Sequence, residues 1–254
     1  MRPPSSARDA GSVREAHRIV AFTPDIADAL LALGGRDRLV GTSSIGPAVD
    51  GVARMGTQVA PDEAALAAAR PDLVFVADGP IGAGVLDRRP AGSSIEALSF
   101  DDRAHFADAV RRIARRLGRP GAAGQLLERI DGELDAVRRS TTGPRPRVVA
   151  LLRRDPMVVA GPGSFVDELL EIAGARNTVA NTSHLPFVDP AMIAAWNPEI
   201  VLDLTAPEDA GVESALPGLA AHRIVTVGSD GMLRPGPRSG EAARRLAAAL
   251  HPAR

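Results

Sequence analysis

The 254-residue sequence has no cysteine, no tyrosine and no lysine. Disulfides, thiolate metal sites and cysteine nucleophiles are thereby excluded, and no phenolate is available to a metal. All 30 residues counted as lysine or arginine are arginine, against 31 acidic residues. The net charge of −1 lacks the basic surplus of a nucleic-acid-binding chain. Aromatic residues make up 3%, with a single tryptophan, so ring stacking on a ligand would rest on few side chains. No apolar run reaches the roughly 18 residues of a membrane span. The first 17 residues are polar and lack the apolar stretch of a signal peptide. Two locations stay open on this reading: the cytoplasm, or an extracytoplasmic site reached through an export segment outside this sequence.

What is present reads as α/β. Residues 1–17 form a flexible tail without periodicity. Arg18–Phe22 reads as a buried strand, and Thr23-Pro24 as the cap and first position of a helix ending at Gly34-Gly35. Arg38–Gly41 is the next strand, Asp62–Ala69 an alanine-rich helix, and Leu73–Ala77 a strand without polar alternation. Such a continuous apolar strand implies a parallel sheet covered on both faces. Residues 104–139 change to two helices meeting at Gly118–Gly121; Leu126, Leu127, Ile130, Leu134 and Val137 form a helical stripe on the second. From Arg147 the β-α alternation resumes. The organisation is a tail (1–17), an N-terminal α/β lobe (18–103), linking helices (104–139) and a C-terminal α/β lobe (147–254).

The two lobes repeat one another. Asp62–Val74 and Asp189–Val201 share the pattern D-x-A-x-[LI]-A-A-x-x-P-[DE]-[LI]-V, and Asp28–Gly35 aligns with Asp167–Gly174. Two matches in the same order argue for duplicated lobes with parallel sheets joined by one long helix. Ligands in open α/β sheets bind beyond the carboxyl ends of the strands.

Several segments, taken in order, resemble the substrate-binding proteins of ABC importers that carry metal chelates, of the helical-backbone metal-receptor type. They are Arg18–Pro24, Arg38–Gly41, Pro71–Val74, Val159–Phe165 with Asp167–Leu170, Arg234–Arg238 and Leu250–Pro252. The resemblance spans about residues 18–252. It implies two lobes with a ligand cleft between them, a monomer, an extracytoplasmic setting and an ABC permease as partner. It implies no resident cofactor; the ligand is the cargo. Arg234–Arg238 and the Leu-His-Pro end rank a corrinoid such as cobalamin first, a ferric siderophore second and haem third. In such relatives a glutamate in each lobe docks onto the transporter. Those positions are Ala64 and Ala191 here, and Asp62, Glu63 and Asp189 are the nearest substitutes.

Mapped onto this sequence, the resemblance places ligand contacts at Thr23, Ser43, Ser44, Ile45, Gln58 and Asp78 in the first lobe. In the second it places them at Ser164, Phe165, His184, Phe187, Asp230, Met232 and Arg234. No metal site is firm, and His184 is an axial-ligand candidate because neutral imidazole is a frequent metal ligand. Plainer readings stand beside these: His184 as a solvated loop residue, Arg234 and Arg238 as loop braces, Asp62 and Asp189 as helix caps, Trp196 as packing. The glycine-rich Ala160–Phe165 lacks the Lys-Ser/Thr ending of a phosphate loop and reads as a turn opening a helix. No nucleophile elbow, zinc spacing or dinucleotide fingerprint occurs, so the expected function is binding rather than catalysis. Two alternatives remain: a cytoplasmic binding or sensor module on the same fold, and a chelatase-like enzyme using His184 with Asp203 or Asp230.

Overall fold

The structure, a computed structural model, describes residues 14–79, 85, 90–181, 183–205, 218–219, 222–229 and 231–252. Residues up to 97 together with 110–123 form one compact unit, and residues 98–109 with 124 onward form a second. The chain passes from one to the other between residues 97 and 98, and again within the helices α3 (Arg103–Arg116) and α4 (Pro120–Ser140).

The first unit carries a five-stranded sheet of β1 (Ile19–Ala21), β2 (Leu39–Thr42), β3 (Ala53–Arg54), β4 (Leu73–Ala77) and β5 (Ser94–Leu98), ordered β3-β2-β1-β4-β5. β1 runs parallel to β2 and β4, with Ile19 opposite Leu39 and Leu73. Its central strands are almost wholly buried, as an apolar run covered on both faces requires. Helix α1 (Pro24–Ala32) starts where expected. Thr23 Oγ1 accepts from Ile26 N at 3.3 Å and Pro24 fills the first turn. Helix α2 (Glu63–Ala69) turns Leu66 into a core with Val20, Phe22, Met55, Val74 and Val76.

The second unit is built from β6 (Arg147–Arg154), β7 (Met157–Val159), β8 (Arg176–Asn177), β9 (Ile200–Asp203) and β10 (Arg223–Thr226), ordered β10-β9-β6-β7 with β8 also on β6. β6, β9 and β10 are parallel, whereas β7 folds back on β6 as an antiparallel hairpin. Helix α5 (Phe165–Ile172) is capped by Ser164, whose Oγ accepts from Asp167 N, and helix α6 (Pro190–Ala195) by Asp189. Trp196, at the end of α6, packs against the core of Val149, Leu151, Val159, Ile193 and Val201, which is the packing role. Helix α7 (Ser239–Leu250) closes the described chain. Arg103, on α3, binds Glu168 on α5 at 2.7 Å and Asp131 on α4. Burial works against its charge, but the Glu168 hydrogen bond and both carboxylates outweigh it and raise the Arg103 pKa.

The internal repeat reaches down to single hydrogen bonds. Asp62 Oδ1 accepts from Ala65 N at 2.9 Å, and Asp189 Oδ1 from Met192 N at 2.8 Å. Leu66 and Ile193, each four residues on, are the buried residues of their helices. Each helix is followed by a residue of positive φ, Arg70 at 43° and Asn197 at 49°, and then by Pro71 or Pro198. Asp72 Oδ1 accepts from Arg18 N, as Glu199 Oε2 does from Arg147 N. Arg18 Nε donates to Ala69 O, the last residue of α2, and Arg147 Nε to Asn197 O, two residues past α6. Arg-x-Val-Ala at 18–21 and 147–150 is thus a third repeat match. The second match needs correcting by one residue. Gly34 and Gly174 share the left-handed position after the helix, with φ of 75° and 73°, so Gly34 and not Gly35 is the partner of Gly174.

A left-handed arginine is strained, because its Cβ crowds the following carbonyl. Arg70→Gly is therefore expected to stabilise the chain by about 0.5–1 kcal/mol, read as a raised melting temperature. Asn197→Gly should gain less, since asparagine tolerates this conformation.

Of the tail expected over residues 1–17, residues 1–13 lie outside the described residues. The last four are tied down: Ala16 N donates to Arg116 O at 2.8 Å and His17 N to Asp72 Oδ2 at 2.8 Å.

Candidate functional site

In the first unit the loops after the parallel strands are braced from within. Ser43 is buried; its Oγ accepts from Ile45 N at 3.1 Å and donates to Gly56 O at 3.3 Å. Ser44 N donates to Gly56 O, and Arg54 gathers the carbonyls of Ser44, Gly46 and Pro47. Gln58 is also buried, with Oε1 accepting from Ala77 N at 2.5 Å. Asp78 is exposed at the end of β4 and closes on Gly79 N at 2.7 Å. Ser43, Gln58 and the cap Thr23 thus spend their polar groups on the loops themselves. The loops instead raise two apolar tips, Ile45 at 62% exposure and Val59 at 68%. Val59, in the turn closed by Thr57 and Ala60, was not among the candidates.

In the second unit the hairpin β6–β7 organises the surface. Residues 184–188 run along β7: Gly161 N donates to His184 O at 2.8 Å, Val159 N to Pro186 O at 3.3 Å and Val188 N to Met157 O at 3.1 Å. Val158 bridges to Phe187. Glycine is required at 161, because a Cβ there would collide with Ser183 O. The segment is therefore held in place by main-chain bonds rather than left as a loose loop. His184 is exposed, with Nδ1 2.8 Å from Pro162 O. A carbonyl only accepts, so Nδ1 carries the proton and Nε2 is the lone-pair nitrogen of the neutral ring. That arrangement, one nitrogen fixed by a backbone carbonyl and the other basic, is the one metal-ligating histidines use.

Phe187 stands 66% exposed, with the Arg153 guanidinium 5.5 Å from its ring centroid. Leu185 and Leu233 are exposed as well. Arg234 is half exposed and its Nη1 lies 3.8 Å from Asp101 Oδ1, a separation that contributes little to stability at a surface. Its loop is stiffened by Ser239 Oγ, which bonds both the N–H and the carbonyl of Gly236.

Beside Thr23, Ser43 and Gln58, three candidates of the second unit fall differently from expectation. Phe165 is the first residue of α5 and is turned into the core, and Met232 is wholly buried; both side chains pack the interior rather than an open surface. Ser164 is committed to its cap. Asp230 lies outside the described residues. Asp203, named as a proton handler in the chelatase reading, is fully buried. Its Oδ2 binds Arg154 Nη2 at 2.5 Å, while Oδ1 accepts from Thr205 N at 2.9 Å and Thr205 Oγ1 at 2.6 Å. Arg154 Nε in turn donates to Thr205 Oγ1 at 2.7 Å. Both carboxylate oxygens are occupied in a structural network, which removes Asp203 from that reading; its other carboxylate, Asp230, lies outside the described residues. Asp62 and Asp189 are the helix caps described above; Glu63 follows in the first turn of α2 and is exposed.

Strand-end loops bearing apolar tips and a few fixed polar groups are what a small-molecule site requires, and the chain as a whole is similar to known proteins. A cobalamin-binding protein of Halobacterium salinarum is 27% identical over 264 residues, covering 93% of this chain and 70% of that protein. An uncharacterized ABC transporter substrate-binding lipoprotein, YvrC of Bacillus subtilis, is 24% identical and covers 98% of this chain and 84% of its own. The solved structure of the periplasmic heme-binding protein BhuT in complex with two hemes superposes with a TM-score of 0.75 at 26% identity, over 92% of this chain and 99% of that one. The family model for periplasmic binding proteins matches residues 19–213, most of the sequence. The chain belongs to the periplasmic binding protein family.

Proposed function

We propose that this chain captures a metal chelate outside the cytoplasm, at the periplasm or cell surface, and delivers it to an ABC permease. A corrinoid such as cobalamin is the first candidate, a ferric siderophore the second and haem the third. The single observation that carries the reading is the fixed segment 184–187 of the second unit. It offers an oriented imidazole, His184, followed along the same segment by exposed apolar side chains, Leu185 and Phe187. A flat, largely apolar chelate with a metal at its centre suits such a surface: carbon to cover, one lone pair to ligate, and Arg234 for an anionic oxygen. The relatives named as cobalamin-binding and heme-binding support this ligand class, and the Bacillus relative named as a transporter component supports the permease. Ile45 and Asp78 remain the first-unit contacts of choice.

Equilibrium dialysis of the purified chain against aquacobalamin, a ferric hydroxamate siderophore and haemin tests the proposal. Retention of one chelate near one-to-one at micromolar concentration is expected. Free passage of all three would contradict it.

The permease would be met through Asp62, Glu63 and Asp189 at the starts of α2 and α6. Glu63→Gln with Asp189→Asn keeps the cap, because asparagine caps as well as aspartate. The pair should leave the melting temperature within about 1 °C, as exposed charges add little to folding. It should slow association with the cognate permease and weaken the salt dependence of the rate. An unchanged association rate at low salt would limit these residues to capping.

A further inference from the structure

We propose that Arg153 and Phe187 form a recognition pair for an anionic group at the edge of the bound chelate, so that this chain selects ligands by peripheral charge as well as by metal. The inference rests on the metal-chelate reading and adds a residue that neither the repeat nor the family match points to. The β6–β7 hairpin is antiparallel, unlike the wholly parallel pairings of β1, β2, β3 and β4 in the first unit. Arg153 occupies its last turn of strand, paired with Val158. Its Nε is anchored to Pro156 O at 3.0 Å, and its guanidinium lies over the Phe187 ring at 5.5 Å. Attraction to a ring face uses none of the terminal N–H donors, and the anchoring bond uses only Nε. Arg154, its neighbour, is joined to Asp203; Arg153 has no carboxylate partner among the described residues. A cation held in orientation by a backbone carbonyl and a ring, yet without a counterion, is set up to receive one. Phe187, 66% exposed, offers the apolar body of the ligand a surface directly beside that charge.

The matching chemistry is an anionic oxygen on the rim of a tetrapyrrole. It has two sources: the carboxylates of haem, or the phosphodiester of a complete cobalamin. Each has a neutral counterpart, haemin dimethyl ester and a corrinoid lacking the phosphodiester-linked nucleotide. Dissociation constants for all four, measured with the wild-type chain and with Arg153→Gln, Arg153→Lys and Phe187→Leu, test the pair. Arg153→Gln should weaken the anionic member of the bound type about tenfold or more, the scale of one charge-assisted hydrogen bond, and leave its neutral counterpart within about twofold. Arg153→Lys should recover part of the loss, and Phe187→Leu should weaken both members while reducing the preference between them. The type that shows the preference identifies the source of the anion. Equal weakening of anionic and neutral ligands by Arg153→Gln, or no weakening of either, would overturn the pair while leaving chelate binding intact. Failure of the wild-type chain to bind any of the four would overturn both this inference and the reading beneath it.

Discussion

Asp203→Ala is expected to be the most damaging single change to folding in the second unit, costing about 3–5 kcal/mol of unfolding free energy. The carboxylate is fully buried at the end of β9 and holds three donors: Arg154 Nη2, Thr205 N and Thr205 Oγ1. Alanine would remove the acceptor shared by Thr205 N, Thr205 Oγ1 and Arg154 Nη2, and with it the Asp203–Arg154 ion pair. Arg154 is 34% exposed, so water reaches part of it and the loss should fall near the lower end of that range. Asp203→Asn keeps an acceptor oxygen for Thr205 but not the charge, and should cost about half as much. Urea unfolding of the two variants gives the comparison. An alanine variant within about 1 kcal/mol of the wild type would show that the network contributes little.

His184→Ala should do the reverse, sparing the fold and damaging the site. The ring is exposed, its one hydrogen bond among the described residues is to Pro162 O, and it lies beside Gly163, so stability should change by no more than about 0.5 kcal/mol. Chelate affinity should fall about tenfold or more with loss of a metal–imidazole bond. The variant bound to ligand should also lack the spectral signature of nitrogen ligation. An unchanged affinity and spectrum would assign His184 to the loop alone.

The duplicated scaffold was legible in the sequence because it rests on local chemistry. An aspartate cap, a buried apolar residue four positions on, a proline and an apolar strand recur at 62–74 and 189–201, and each element has a short-range cause. The second-unit hairpin went unread although it left a signal: Arg153-Arg154-Asp155-Pro156 interrupts the apolar run between Leu152 and Met157, as a turn does. The network of Arg154, Asp203 and Thr205 joins residues about fifty positions apart, beyond any spacing rule. Loop position misled in the opposite direction. Ser43, Gln58, Phe165 and Met232 follow strands or open helices, as ligand contacts do, yet their side chains brace loops or fill the core. Among the exposed apolar side chains Ile45 and Phe187 were expected; Val59, Leu185 and Leu233 were not, because aliphatic side chains in loops are not distinguished from core residues by composition.

The most direct test of the account is the visible spectrum of aquacobalamin titrated with the purified chain. The account predicts saturable binding at one-to-one, with a spectral shift as the His184 imidazole replaces the cobalt-bound water, and no shift with His184→Ala. Aquacobalamin, haemin and a ferric siderophore all left spectrally unchanged and unretained at concentrations well above those of the protein would contradict it.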